Sequence, residues 1–376
     1  VDLLTYHVGD EVDFPGLAIH RIPSIPFVTN VKPGPSWAKL LLDFFVLIKA
    51  VLMLLRNDYE VIHSHEEASF FAAFLARIFR VRHVYDMHSS LPLQLINFRF
   101  GNIRPLIWLF QLLEKRVLTT CDAVITIGAD LEDLVRRINP GANVITIENL
   151  PLQNIVQAPG SGSVEQVSNQ LALDSKSVVL YTGNLASYQG LDLLVDSAQI
   201  VNQHLSNVLF LLVGGNQSQV NYWREVVAER ELADTVLLTG TVPLDEAISY
   251  LELCDILVSP RLDGTSIPLK LYTYLSSGKP VVATRTDGHT QILNDDLAVL
   301  TEPAKDEFAE GILELLQHPQ RGSNLGKRAQ VFMKEHYRFD TYVDALEGTY
   351  RSLNASHDSE HEEPFPAGVD TDITVP

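Results

Sequence analysis

The chain has little cysteine, a deficit of positive charge and no long apolar run, and each shortage removes a class of function. Its 376 residues hold two cysteines, Cys121 and Cys254, which excludes a disulfide-stapled scaffold. Each stands beside an Asp and an apolar run, as a buried free thiol does in a reducing compartment. Lys and Arg number 28 against 47 Asp and Glu, a formal net charge of -19. That balance argues against a sequence-blind grip on nucleic-acid phosphates, so no nucleic-acid partner is expected. Six of the acids (Asp358, Glu360, Glu362, Glu363, Asp370, Asp372) sit in a tail without Lys or Arg. No segment reaches the roughly 20 apolar residues needed to span a bilayer. The nearest, Leu40 to Leu55, is broken by Asp43 and Lys49. At 100° per residue, Lys39, Asp43, Lys49 and Arg56 fall within an arc of about 140°, leaving a wide apolar face. Such a helix is either buried between a sheet and its neighbours or laid on a membrane surface. The run Arg104-Pro105-Leu106-Ile107-Trp108-Leu109-Phe110, followed by Lys115 and Arg116, adds weight to the membrane. No G-x-G-x-x-G follows a strand with an acid about 20 residues on, which disfavours a dinucleotide-dependent oxidoreductase.

What is present is a folded α/β chain. Apolar residues make up 46% and charged residues 20%, with room for two domains of ordinary size. Val1 to Tyr6 reads as a strand that would normally be second or third in its unit, so an opening strand and its Gly-rich loop are expected to be missing from the sequence as given. Strands at Val61–His65, His83–Asp86, Ala123–Ile127 and Asn143–Ile147 alternate with helices at Ala68–Phe79, Ile103–Thr119 and Ala129–Ile138. This rhythm implies a parallel sheet wrapped by helices. It stops near Glu148-Asn149, and a stretch poor in large aliphatics follows, Gln153 to Ser168. The rhythm restarts with strands at Val178–Gly183, Val208–Val213, Val236–Gly240, Ile256–Ser259 and Val281–Thr284. Helices are expected at Leu191–Leu205, Asn221–Glu231, Leu244–Leu253 and Leu269–Ser277. The expected organisation is an N-terminal Rossmann-like domain over 1–150, a linker over 151–174 and a second Rossmann-like domain over 175–335. A helix over 336–354 and a disordered acidic tail over 355–376 complete it. In doubly wound sheets ligands bind beyond the carboxyl ends of the strands, and a cleft between two such halves is the default site.

Glycine closes successive strands of the second half: Gly183, Gly214-Gly215, Gly240, and Gly264 shortly after a strand. Singly these are turn residues; together they suit close backbone approach to a phosphate or base. The stretch from Ser259 to Thr284 reads as strand, polar loop, helix, Gly-Lys-Pro turn and buried strand. Arg261 and Lys270 flank a helix start at Pro268, where unpaired amides add to their field. That arrangement would hold a diphosphate without a metal and stabilise it as a departing anion.

At this stretch the chain resembles the family 4 glycosyltransferases of the glycosyltransferase B fold, up to about Leu353. Gly183-Asn184-Leu185-Ala186-Ser187-Tyr188-Gln189-Gly190 is similar to the family's first donor-domain loop. Leu212-Val213-Gly214-Gly215 and Leu238-Thr239-Gly240-Thr241-Val242 resemble its next two signatures. His63-Ser64-His65 and Tyr85-Asp86-Met87-His88-Ser89-Ser90 resemble its cleft-facing strand ends, Ile147-Glu148-Asn149 its hinge, and Gly278-Lys279-Pro280-Val281-Val282-Ala283 its most recognisable run. The resemblance implies retaining, metal-independent transfer from a nucleoside-diphosphate sugar to a hydroxyl acceptor, with no cofactor. It implies donor contacts at Gly183, Asn184, Gln189, Gly215, Gly240, Val242, Arg261, Asp263, Thr265, Ser266, Lys270 and Thr273, and contact of His88 with the transferred sugar. Glu66 is a candidate on the acceptor side; alternatively Glu66 and Glu67 only begin a helix.

This sequence also departs from the family. Members usually carry an Arg and a Lys where Asn184 and Gln189 stand, and glutamates where Thr265 and Thr273 stand. Asp263 is expected to supply a lost carboxylate, and Arg261 with Lys270 the lost cations. Two other readings therefore stand beside the enzyme: a relative that binds a sugar nucleotide without turnover, and a sugar-nucleotide 2-epimerase, for which no set of acids and histidines can be picked out. No carboxylate pair of glycosidase type is evident. The apolar helices suggest a saccharide or lipid-linked acceptor, as in surface polysaccharide or glycolipid synthesis. The expected place is the cytoplasm, at the inner face of the membrane.

Overall fold

The computed structural model describes residues 1–9, 12–25, 37–96, 103–151, 176–264 and 266–360. The expected linker from 152 on, the tail from 361 on, and Thr265 lie outside the described residues. The chain forms two compact units, Val1–Ile147 joined by the chain from Val343 on, and Glu148–Tyr342.

In the first unit the order is β1 (Asp2–Thr5), β2 (Ala18–Arg21), α1 (Trp37–Arg56), β3 (Val61–His65), α2 (Ala68–Phe79), β4 (Arg82–Met87), α3 (Leu91–Leu95), α4 (Arg104–Thr120), β5 (Ala123–Thr126), α5 (Ala129–Ile138) and β6 (Val144–Thr146). Strands β3, β4, β5 and β6 pair in that order, all parallel. Strands β1 and β2 form a separate parallel pair. In α2 the buried positions Ser69, Ala72, Leu75 and Ala76 recur at helical spacing, and Arg80 in left-handed conformation closes the helix.

Helix α1 turns the expected polar stripe inward. Tyr6 donates its hydroxyl to Asp43 at 2.5 Å, Lys39 pairs with Glu67 at 3.5 Å, and Lys49 donates to the Arg21 carbonyl. Leu42 and Val46 are buried with them, while Leu41, Phe44, Ile48, Leu52 and Leu55 are exposed.

The second unit runs β7 (Ser177–Thr182), α6 (Leu191–His204), β8 (Val208–Val213), α7 (Gln217–Glu229), β9 (Val236–Gly240), α8 (Leu244–Leu253), β10 (Ile256–Ser259), α9 (Lys270–Ser276), β11 (Val281–Thr284), α10 (Asp287–Thr290), β12 (Val299–Thr301), α11 (Lys305–Gln317) and α12 (Pro319–His336). Its six strands are parallel in the order β12-β11-β10-β7-β8-β9. All six residues of β8 are buried, as befits a parallel strand covered on both faces. Alternate side chains serve two cores. Val179, Tyr181, Phe210 and Leu212 join α6, α7 and α11 on one face. Val178, Leu180, Leu209 and Leu211 join Tyr250, Leu271 and Tyr274 on the other. Each such side chain contributes about 1.5–3 kcal/mol by burial.

Strand order reverses between β7 and β10, because β8 and β9 lie on one side of β7 and β11 and β12 extend beyond β10. The loops after β7 and β10 therefore leave a topological switch point, where such sheets take their ligands. The terminal helix α13, expected over 336–354, spans Phe339–Glu360. The stretch from Ala355, expected to be disordered, thus begins helical. No Gly or Pro interrupts it before Pro364, so the preceding turns can propagate into it. Both cysteines are free.

Candidate functional site

The loops after β7 and β10 are locked into one structure. Gly190, at φ 75°, begins α6, and a Cβ there would stand 1.9 Å from the Pro260 carbonyl oxygen, so no larger residue fits. Gly288 donates its N–H to the Gly264 carbonyl at 2.9 Å. His289 is fully buried, 2.9 Å from Ser259 Oγ and 2.6 Å from the Thr284 carbonyl. Thr284 in turn donates to the Arg261 carbonyl. Burial drops the His289 pKa to about 4, so it serves as a neutral strut beneath the loop.

On this frame stand two cations. Lys270 extends from the first turn of α9 over the Tyr181 ring, 3.8 Å from its centroid, and donates to Gln189 Oε1 at 3.3 Å. A Cβ at Gly183 would lie 3.6 Å from its ammonium nitrogen. Arg261 donates to the Ser266 carbonyl at 3.2 Å and lies 5.8 Å from the centre of the Tyr188 ring. Burial, reinforced by the neighbouring Arg261, brings the Lys270 pKa down to about 7. Among the described residues neither cation is in an ion pair, and Arg261 Nε is a buried donor without an acceptor. Two converging cations and an unsatisfied N–H are what an anion would complete.

The structure brings Gly183, Gln189, Arg261, Ser266 and Lys270 together. Asn184 lies on the same loop, where its side chain donates to Tyr188 at 3.0 Å and accepts from the Ala186 N–H. Gly215 and Gly240 tie neighbouring strand ends: Thr241 donates to the Gly215 carbonyl, and Gly214 N–H to the Gly240 carbonyl. Val242 packs against a core cluster. Asp263 is exposed and Thr273 is buried on α9. The first-turn amides of α9 were expected to be open, but Leu271 N–H is paired with the Pro268 carbonyl at 2.9 Å. Lys279 donates to the Glu252 and Cys254 carbonyls, which makes the Gly-Lys-Pro run a latch behind the sheet. Sequence reasoning missed His289, Gly288 and the two tyrosines. For His289 the signal is the parallel register that sets Ser259 beside Ala283.

In the first unit, the parallel register pairs His65 with Asp86. With a two-residue side-chain period, His63, His65, Asp86 and His88 then share one face at adjacent strand ends. Asp86 Oδ2 lies 2.8 Å from His65 Nε2 and 3.4 Å from His63 Nε2, and Oδ1 lies 3.2 Å from His88 Nε2. Burial opposes ionisation of Asp86, but the hydrogen bonds from His63, His65 and His88 outweigh it and hold the carboxyl far below its usual range. Glu66, in left-handed conformation at φ 45°, accepts from Ser89 Oγ at 3.1 Å. Burial raises its pKa against that bond. Asp86 organises this cluster and was not among the expected site residues, although the His-x-His and Asp-x-His spacings signalled it.

Residues 176–318 match the glycosyl transferases group 1 family and residues 1–149 the glycosyl transferase 4-like domain. The chain belongs to the group 1 glycosyl transferases. This glycosyltransferase is 22% identical over 353 residues to alpha-D-kanosaminyltransferase of Streptomyces kanamyceticus, covering 89% of this chain and 88% of that one. It is 24% identical over 349 residues to a phosphatidylinositol N-acetylglucosaminyltransferase polypeptide of Arabidopsis thaliana, covering 90% of this chain and 72% of that one. Among solved structures it is similar to sucrose-phosphate synthase from Thermosynechococcus elongatus, with a TM-score of 0.74, 17% identity, and 94% and 89% of the two chains covered. HepE of Anabaena, solved with UDP-glucose, has a TM-score of 0.68 and 18% identity, covering 90% and 86%. These likenesses agree with the two parallel-sheet units expected from the sequence. In the glycosyltransferase the cation pair lies at the switch point of the second unit and the histidine cluster at strand ends of the first.

Proposed function

We propose that this glycosyltransferase transfers a sugar, with retained anomeric configuration, from a nucleoside diphosphate to a hydroxyl of a saccharide or lipid-linked acceptor. One observation carries the reading: Lys270 stands beside Gly183 within the field of Arg261, neither cation has a carboxylate partner among the described residues, and Arg261 Nε lacks an acceptor. A diphosphate entering there pairs with both cations, and the bond to the sugar weakens as its negative charge is stabilised. Positive charge develops at the sugar ring, and the acceptor hydroxyl attacks from the face the diphosphate leaves, its proton passing to the departing diphosphate. Arg261 and Lys270 take over the task that the family's usual Arg and Lys perform, so no metal is required for the leaving group. Ser266 and Asn184 line the same loops, and His88 is the group of the first unit that touches the transferred sugar, with Glu66 toward the acceptor. HepE was solved with UDP-glucose, which supports a nucleotide-sugar donor for this chain.

The acceptor reading rests on the outer surface of the first unit. Leu41, Phe44, Ile48, Leu52 and Leu55 of α1 are exposed, as are Phe74 and Ile78 of α2 and Trp108, Leu109 and Leu112 of α4. Helix α2 contacts both α1 and α4, so these residues extend across three helices. Arg104, Lys115 and Arg116 are exposed on α4. Such a surface lies in the headgroup region of an anionic bilayer, from the cytoplasmic side, and presents the enzyme to a lipid-linked acceptor.

The donor test is direct. UDP and GDP compounds are titrated while melting is followed, because a ligand at a hundredfold excess over Kd stabilises the native state by about 2.7 kcal/mol. The expected result is a shift with at least one nucleoside diphosphate, lost in Lys270→Ala. No shift with any member of the panel ends the proposal. Binding without transfer of labelled sugar to any acceptor points instead to a relative that has lost turnover.

A further inference from the structure

His63, His65 and Asp86, beside His88 in the first unit, have a chemistry that sugar transfer does not use. Three imidazole Nε2 atoms, from His63, His65 and His88, point at the two oxygens of one carboxylate, Asp86. The rings are crowded around that carboxylate: His65 and His88 lie 4.6 Å apart, and His63 and His65 lie 6.0 Å apart, stacked. The ligand atoms of His63, His65 and Asp86 all lie within 4.8 Å of one another. Tetrahedral zinc ligands at bond lengths of ~2.0–2.1 Å are roughly 3.4 Å apart, so small side-chain rotations bring these atoms into a coordination sphere. The other face of His63 is engaged as well, its Nδ1 lying 2.5 Å from the Tyr350 hydroxyl on α13. A second partner of that kind fixes the ring plane and presents Nε2, as the outer partners of metal-binding histidines do.

We propose that His63, His65 and Asp86, with His88 as the adjoining fourth group, form a binding site for a divalent transition metal of the zinc type. Imidazole nitrogen with one carboxylate suits zinc, nickel or copper and disfavours magnesium and calcium, which take oxygen ligands. On coordination a neutral ring carries its proton on Nδ1 and a doubly protonated ring gives one up to solvent, so no co-reactant is needed. The metal then ties the ends of β3 and β4 together and engages the face that holds His88. The site is independent of the diphosphate loop, and its success or failure leaves the donor reading untouched.

The test is zinc titration of the full chain by calorimetry, with cobalt absorption spectra as a second reading. One saturable site per chain is expected, with a melting shift that magnesium does not reproduce. His65→Ala changes an exposed side chain, so the variant folds, and it weakens zinc binding at least tenfold; His63→Ala does the same. Absence of saturable zinc binding overturns the proposal. So does zinc affinity that is unchanged in both variants, or magnesium bound as tightly as zinc.

Discussion

At the scale of single residues, the protonation of two buried groups makes the site testable. The Lys270 ammonium has its pKa lowered to about 7 by burial and then by Arg261, and only its charged form pairs with a diphosphate. Nucleotide affinity is therefore expected to be flat below about pH 6 and to weaken above pH 7 by up to about tenfold per unit. Lys270→Arg, which stays charged, removes the break, and Lys270→Ala weakens binding roughly 10- to 100-fold at pH 6, the worth of a charge-assisted bond. Calorimetric titrations with UDP or GDP across pH check both. His289 titrates in the folding equilibrium instead. Its native pKa of about 4 lies below the ordinary histidine value of 6.5, so between these the unfolded chain takes up a proton that the native chain does not. The stability it contributes is complete above about pH 6.5 and is lost as pH falls toward 4. Denaturant unfolding is expected to show His289→Gln losing about 2–3 kcal/mol less than the parent between pH 7 and 4.5. Lys270 and Arg261 were legible in the sequence because they flank a loop between a strand and a helix. His289 was not, because its partners Ser259 and Thr284 meet it only through the pairing of β10 with β11.

At the scale of elements, the strongest apolar or alternating segments were legible and the weak ones were not. The sequence reading placed α2, α5, β8, β10 and β11 at their observed bounds. It missed β2, four residues of mixed polarity held by β1. It missed α12 as well, whose opening Pro-Gln-Arg-Gly-Ser-Asn has no apolar stripe although Leu325, Ala329 and Met333 are buried further on. Helix α1 was placed correctly, but periodicity alone left its facing open. Tertiary partners for Asp43, Lys39 and Lys49 turn the charges inward, which is the opposite of an ordinary surface helix. The exposed apolar stripe that results gives the membrane prediction. The protein is expected to float with anionic vesicles and far less with zwitterionic ones. Phe44→Glu combined with Leu52→Glu is expected to cut vesicle binding more than tenfold, since each lost apolar contact is worth about 1.5–3 kcal/mol. Both side chains are exposed, so melting should be unchanged. A parent protein that stays in the bottom fraction refutes the surface role.

At the scale of the whole molecule, the chain forms two folding units, each with its own parallel sheet and core, and the proposed reaction draws one group of residues from each. The repeated β-α rhythm made that division legible. The return of the terminal helix was not, because nothing local in Val343 to Leu353 tells which unit buries it. The division makes loss of binding separable from loss of transfer. Arg261 and Lys270, the cations proposed to hold the diphosphate, belong to Glu148–Tyr342, whereas His88, hydrogen-bonded to Asp86 at 3.2 Å, belongs to the other unit. Interactions made only as the sugar departs lower kcat and leave ground-state binding alone. His88→Ala is thus expected to keep the Kd for UDP or GDP within about twofold of the parent while transfer of labelled sugar falls by roughly 100-fold or more. Lys270→Ala is expected to raise that Kd at pH 6 as well as slow transfer. If His88→Ala instead weakened nucleotide binding as much as Lys270→Ala does, the donor would be held by both units alike, and the assignment of His88 to the sugar alone would fail.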